Sequence, residues 1–251
     1  MPPSQPTRSG KLKDVLIRVV SGALLLSGLI GIWTFVRAAE PATVIPPPAL
    51  DAPRGAAKPG AAGLQTIVLA GGCFWGVQAV YQHVKGVSQA VSGYAGGSKE
   101  TASYEIVSSG RTGHAESVQV TFDPAQISYG RILQIFFSVA HDPTQLNRQG
   151  PDTGTQYRSA IFYQGDAQKN IAQAYIAQLG KAGAFKQPIV TQVNQLAGFY
   201  PAEPYHQDYA TLHPNSPYIA YFDLPKVENL QRVFGELYRE KPILVSMNQS
   251  N

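Results

Sequence analysis

QTIVLAGGCFWGVQAVYQHVKG, residues 65–86, sets the architecture. Residues 65–70 (QTIVLA) form a short apolar run of the length and composition of a buried strand. Gly71 and Gly72 turn the chain. From residue 73 to residue 84 the pattern becomes helical, with Phe74, Val77, Val80 and Tyr81 recurring at helical spacing, and Gly86 ends it. A strand thus feeds a helix through two glycines, and the single cysteine of the chain, Cys73, stands at the helix start.

Further along, residues 87–94 read as a second short strand, broken by Gly96 and Gly97. Residues 116–122 (ESVQVTF) alternate cleanly and predict the clearest strand. Ser128 is placed to cap a helix through residue 140, with Ile132, Ile135, Phe136 and Val139 on one face. A strand is expected at 159–163, a helix at 166–179 capped by Asp166 and closed by Gly180, a strand at 189–196 and a last helix at 227–238. Helices and strands mix without a strict βαβ rhythm, which predicts an α+β fold with helices packed on one sheet.

A thiol at a helix start meets amides without intrahelical partners and the positive end of the helix dipole. Both favour an anion, so Cys73 is predicted to have a lowered pKa and to react as a thiolate. The alternative is an inert, buried small hydrophobe. Phe74 and Trp75 point about 100° apart on a helix. Either one packs while the other covers surface, or both wall the thiolate and receive an apolar thioether or methyl group. Glu116 shares parity with Val118, Val120 and Phe122. It therefore faces the core, where desolvation would keep it protonated as a general acid; the alternative is a strand end reaching water. The thirteen tyrosines cannot be sorted by spacing, and the five histidines show no tight ligand spacing, so no metal or other cofactor is expected.

Outside this region, Arg8, Lys11, Lys13 and Arg18 precede an uncharged, mostly apolar run at 19–36, and Arg37 follows. Residues 1–39 are read as a signal peptide or a signal-anchor segment. The heavier cation count before the run sends the remainder across the membrane, so the domain is expected outside the cytoplasm, periplasmic or anchored and facing outward. Residues 40–63, rich in Ala, Pro and Gly, are read as a spacer, and residues 64–251 as the catalytic domain. The net charge of +4 belongs to residues 1–63, and the rest of the chain is neutral overall. No basic stripe offers itself to nucleic acid, membrane contact is expected through the N-terminal segment alone, and the chain is expected to act as a monomer.

Four motifs now resemble one family. Gly71-Gly72-Cys73-Phe74-Trp75-Gly76, Gly113-His114-Ala115-Glu116, residues 141–159 (HDPTQLNRQGPDTGTQYRS) and residues 202–209 (AEPYHQDY) are similar to the peptide methionine sulfoxide reductases of the A type. The resemblance covers roughly residues 65–240. The fold expected is a two-layer α/β sandwich, a ferredoxin-like mixed sheet with helices packed on it. The resemblance implies that Cys73 attacks the sulfoxide sulfur and Glu116 protonates its oxygen. It implies that Phe74 and Trp75 hold the methyl group, that Tyr104 and Tyr157 hydrogen-bond the oxygen, and that Asp152 lines the pocket. The substrates implied are S-sulfoxides of methionine, free or in oxidised peptides and proteins. The products are methionine and a sulfenic acid on Cys73, resolved by another thiol.

Two departures stand out. Many members carry Asn-Pro before the pocket tyrosine, where this chain has Thr101-Ala102-Ser103-Tyr104. Many have resolving cysteines, and this chain has none, so an external thiol, a thioredoxin-like protein or a small thiol, must complete the cycle. Two rivals remain at this stage. One is a thiol hydrolase using His114 or His206 as base. The other is a membrane-tethered module that binds oxidised peptides without turnover.

Overall fold

The computed structural model of the protein describes residues 40–52 and 63–245. Strand β1 (Gln65–Gly71) leads into α1 (Phe74–Gln82), followed by β2 (Val87–Ala95), a short α2 (Tyr104–Val107) and β3 (Ala115–Phe122). Helix α3 (Tyr129–Ile135) runs on as a wider, π-type turn over Phe136–Ala140. A ribbon of β4 (Arg148–Gln149) and β5 (Asp152–Thr153) leads to β6 (Ser159–Tyr163). Then come α4 (Asp166–Lys181), β7 (Gln192–Gln195), β8 (Phe199–Pro201), α5 (Tyr209–Leu212) and α6 (Leu224–Val233).

Six strands form one sheet in the order β7-β6-β1-β3-β2-β8. Its pairings are antiparallel except β6 with β7, which is parallel. The inner four, β6-β1-β3-β2, with α1 and α3 as the crossing helices, make the expected ferredoxin-like α+β arrangement. Strand β1 pairs on both sides, which explains its uninterrupted apolar run. Its side chains alternate between two cores. Ile67 and Leu69 join Val118, Val120 and Phe122 of β3 under the helices, with Val77, Ile132 and Tyr175. Val68 and Ala70 meet Ala95, Ala115, Ala160 and Phe162 on the opposite face. Trp75 apart, every residue of α1 is buried, as expected of a helix covered on all sides.

Several expected boundaries shift. The last helix is Leu224–Val233 rather than 227–238, because Pro225 seats in its first turn and the chain leaves helical geometry at Phe234. Gly165, not Asp166, caps α4, and the helix passes through Gly180 to close near Gly183, whose φ is +60°. The strand expected at 189–196 shortens to an exposed edge strand, Gln192–Gln195. The segment read as a signal or anchor, 1–39, lies outside the described residues, as do residues 53–62 of the spacer.

Residues 40–52 correct the spacer reading. They lie against the domain as a strap, with Ile45 only 5 % exposed in the main core. Proline lacks an N–H but keeps an accepting carbonyl. Tyr175 Oη donates to the Pro46 carbonyl at 2.7 Å, Gln178 Nε2 to that of Pro47 at 3.0 Å and Gln134 Nε2 to that of Ile45 at 2.8 Å. Asp51 then caps α3. It accepts from the Gly130 amide at 2.8 Å and from Ser128 Oγ at 2.5 Å, while Ser128 Oγ accepts from Arg131 N as the sequence predicts. A proline-rich segment thus contributes structure through its acceptors.

Candidate active site

Cys73 occupies the N-cap position of α1 and is 8 % exposed. The turn that puts it there is tight. Gly72 has φ +88°, and a Cβ on it would lie 2.4 Å from Gln149 Cγ, so β4 closes directly over the turn. The sulfur opens into a cavity of about 210 Å³. Phe74, Trp75 and Glu116 line it beside Cys73, and Tyr104, Asp152 and Tyr157 close it. Every side chain expected at the site from the sequence is therefore brought to one cavity.

Different elements deliver these groups. Glu116 enters from β3, on the parity of Val118 and Val120, and is 4 % exposed. Its Oε2 accepts from the Phe74 amide at 3.1 Å, so it takes one of the free N–H groups at the start of α1. Tyr104 is the first residue of α2. Glu203 fixes it there, accepting from the Tyr104 amide and from Tyr94 Oη, each at 2.9 Å. The altered loop before Tyr104 does not remove it from the cavity. Tyr157 comes from the turn after β5, and Asp152 from β5 itself. Phe74 and Trp75 both line the cavity; Trp75 stacks on Tyr209 with centroids 4.0 Å apart.

Tyr218 was not expected. Its hydroxyl donates to Asp152 Oδ2, and its ring meets Trp75 edge-on with centroids 6.0 Å apart. No spacing signal marks it, because it approaches from the chain just before α6.

The electrostatics correct one expectation. Burial pushes the Cys73 thiol well above its ordinary value, and the Glu116 and Asp223 carboxyls add to this, while the Trp75 amide and Lys226 oppose it. The predicted lowering by the helix start is outweighed because the sulfur is buried and the Phe74 amide is engaged by Glu116. The resting group is a thiol. Desolvation also pushes Glu116 up, to about 8, against the Phe74 amide, which lowers it. Glu116 is thus a neutral acid at pH 7. Asp152 is likewise raised, chiefly by burial.

The histidines take structural places. His114 packs against the backbone, Nε2 at 2.9 Å from the Ser98 carbonyl oxygen and Nδ1 accepting from the Gly97 amide at 3.3 Å. His206 lies among the rings of Phe74, Trp75 and Tyr104. Among the described residues neither hydrogen-bonds the Cys73 sulfur, so no thiol–histidine pair of the hydrolase kind is formed there.

Comparison with known proteins agrees with this geometry. The family model described as peptide methionine sulfoxide reductase matches residues 65–237. Peptide methionine sulfoxide reductase MsrA 2 of Mesorhizobium japonicum is 63 % identical over 185 residues, covering 74 % of this chain and 95 % of the relative. A protein of the same name from Synechocystis is 50 % identical over 193 residues, covering 77 % and 89 %. Among solved structures, methionine sulfoxide reductase A of Corynebacterium diphtheriae aligns with TM-score 0.54 and 33 % identity, over 72 % of this chain and 90 % of that one. Reduced Mxr1 of Saccharomyces cerevisiae aligns with TM-score 0.56 and 34 % identity, over 65 % and 93 %.

Proposed function

The chain belongs to the peptide methionine sulfoxide reductase family, and on that premise we propose how its site works. The protein reduces methionine sulfoxide to methionine and so repairs oxidised proteins. Our reading of the site is that Cys73 attacks the sulfoxide sulfur while Glu116 gives its proton to the departing oxygen. Phe74 and Trp75 receive the methyl group, with Tyr218 as a third wall. Tyr104 and Tyr157 hydrogen-bond the oxygen, and Asp152, holding the Tyr218 hydroxyl, shapes the pocket. The observation that carries this reading is a carboxyl only 4 % exposed, in one cavity with the thiol, where desolvation favours its neutral form. Sulfoxide oxygen leaves poorly unless protonated, and a buried neutral acid supplies that proton without bulk water.

The balance is simple. The attack forms an S–S bond as the S–O bond breaks, and the oxygen, taking one proton from Glu116 and one from the thiol, leaves as water. Water then attacks the Cys73 sulfur, the S–S bond breaks to release the thioether and the proton returns to Glu116. One sulfoxide and one thiol thus give one thioether and one sulfenic acid on Cys73. Two external thiols then return the sulfenic acid to thiol, forming one disulfide and one water. With a single cysteine in the chain, those thiols must come from another molecule, a thioredoxin-like protein or a small thiol. The cationic flank and apolar run at 19–36 support a site of action outside the cytoplasm, with the segment cleaved or retained as an anchor.

A peptide carrying both sulfoxide epimers, incubated with the protein and dithiothreitol, should lose one oxygen by mass spectrometry, from the S epimer alone. An unchanged peptide mass sinks the activity and leaves a binding module. Cleavage instead of oxygen loss identifies a hydrolase.

A further inference from the structure

A second buried charge pair lies close to Cys73, on an element the reaction above does not use. Asp223, heading α6, is 0 % exposed, and Lys226 in its first turn is 7 % exposed. Lys226 Nζ donates to Asp223 Oδ1 at 3.2 Å. Such a pair seldom stabilises a fold more than apolar residues of the same shape would, so its burial here calls for another reason. Its position supplies one. A Cβ on Gly76, one turn into α1 from Cys73, would lie 2.1 Å from Asp223 Oδ1 and 2.9 Å from Lys226 Nζ. The pair therefore rests on the backbone that carries the thiol. Lys226 and Cys73 also border one recess of about 20 Å³, with Glu40 and Asp152 on its other sides. Asp223 Oδ2 is buried without a hydrogen-bond partner among the described residues, so the pair is not a closed network.

We propose that Lys226 is a positioning residue for the sulfur chemistry: its ammonium, fixed by Asp223 against Gly76, is the counter-charge that lets the buried Cys73 sulfur become a thiolate. The Trp75 amide also favours the thiolate, but as a hydrogen-bond donor without net charge, and the remaining groups facing the sulfur supply no positive charge. From β3 comes Glu116, from β5 Asp152, and from the cavity wall the hydroxyls of Tyr104, Tyr157 and Tyr218. Lys226 in turn faces Asp223, Glu40 of the strap and, more weakly, His141, whose own ring is held neutral by burial. Asp223 and Lys226 act on the thiol in opposite directions, the carboxylate raising it more than the ammonium lowers it, so Lys226 offsets part of what its own partner and burial impose. That opposition distinguishes a charge effect from simple packing.

The proposal rests on Cys73 being the attacking thiol. Its test needs no sulfoxide, so a parent protein inactive on sulfoxide would sink the activity and leave this measurement standing. Carboxamidomethylation of Cys73 by iodoacetamide, followed against pH on the full chain, reports the thiolate directly. Lys226→Met should move the midpoint up by about one unit or more and slow alkylation at pH 7 by roughly tenfold. Asp223→Asn should move the midpoint down, and Lys226→Arg, which keeps the charge, should restore the parent profile. Coincident midpoints in the parent and Lys226→Met, or Met and Asn variants shifted in the same direction, overturn the proposal. If Lys226→Met does not fold by circular dichroism, Lys226→Gln, which keeps a donor for Asp223, replaces it: an upward shift supports the proposal, and an unchanged or downward midpoint overturns it.

Discussion

At the scale of one residue, Glu116 carries the most chemistry, and its environment sets opposing demands. Desolvation keeps its proton up to about pH 8, which suits proton donation to an oxygen. The same shift couples it to stability. Between its ordinary value of 4.5 and about 8, the folded chain holds a proton that the unfolded chain releases. Stability contributed by that proton is fully present below pH 4.5 and is lost as pH rises through 8. Glu116→Gln keeps an oxygen for the Phe74 amide and can never ionise. It should therefore match the parent in Tm near pH 4.5 and exceed it at pH 9, by on the order of 5–10 °C. Sulfoxide reduction should fall by about 10²–10⁴-fold in the same variant, and the parent's own rate should fall above pH 8. Thermal unfolding at the two pH values, beside first-step rates, checks both signs. A variant that keeps parental activity, or is less stable at pH 9, contradicts the assignment of Glu116 as a buried neutral acid.

At the scale of elements, the site depends on how separate segments are held. The strap at 40–52 provides the clearest case, because Asp51 fills the N-cap role at α3 together with Ser128. Asp51→Ala should cost about 1–2 kcal/mol, seen as a lower urea midpoint with unchanged slope. Reduction at 25 °C should stay near the parent rate, since Asp51 is not among the residues lining the cavity. An unchanged midpoint would mean that the strap is an ornament on the fold. Such contacts also mark what the sequence could not disclose. The step from β1 through Gly71-Gly72 to α1 was legible because it is local: an apolar run, a turn and a helical period follow one another in the chain. Glu116 was legible because a strand has a period of two. Tyr218, Asp223 and Lys226 were not, because they reach Cys73 only after α6 packs on α1, and no spacing records that contact. The strap was missed for a related reason: its anchors are carbonyl oxygens, which every residue has, and their donors lie far along the chain on α3 and α4.

At the scale of the whole molecule, the governing fact is that one cysteine serves a two-stage cycle. Its sulfur sits in a cavity of about 210 Å³ and is 8 % exposed, so substrate and reductant must use the site in turn. The acid, the aromatic wall and the thiol are all in place before substrate arrives, so the first stage needs nothing further from outside. The second stage needs a thiol that the chain does not hold. Mixing the protein with excess sulfoxide peptide and no reductant should thus give a burst of methionine equal to the protein present, and then stop. Dimedone added after the burst should label Cys73, and labelled protein should stay inactive when dithiothreitol follows. Without dimedone, steady turnover should resume on adding dithiothreitol and rise in proportion to its concentration while resolution limits the rate. Cys73→Ser should abolish burst and label together. A burst of about half a methionine per chain, with a disulfide-linked dimer in place of the dimedone adduct, would show that the sulfenic acid is resolved by the Cys73 thiol of a second copy, and the reading of a sulfenic acid that waits for an external thiol would fall.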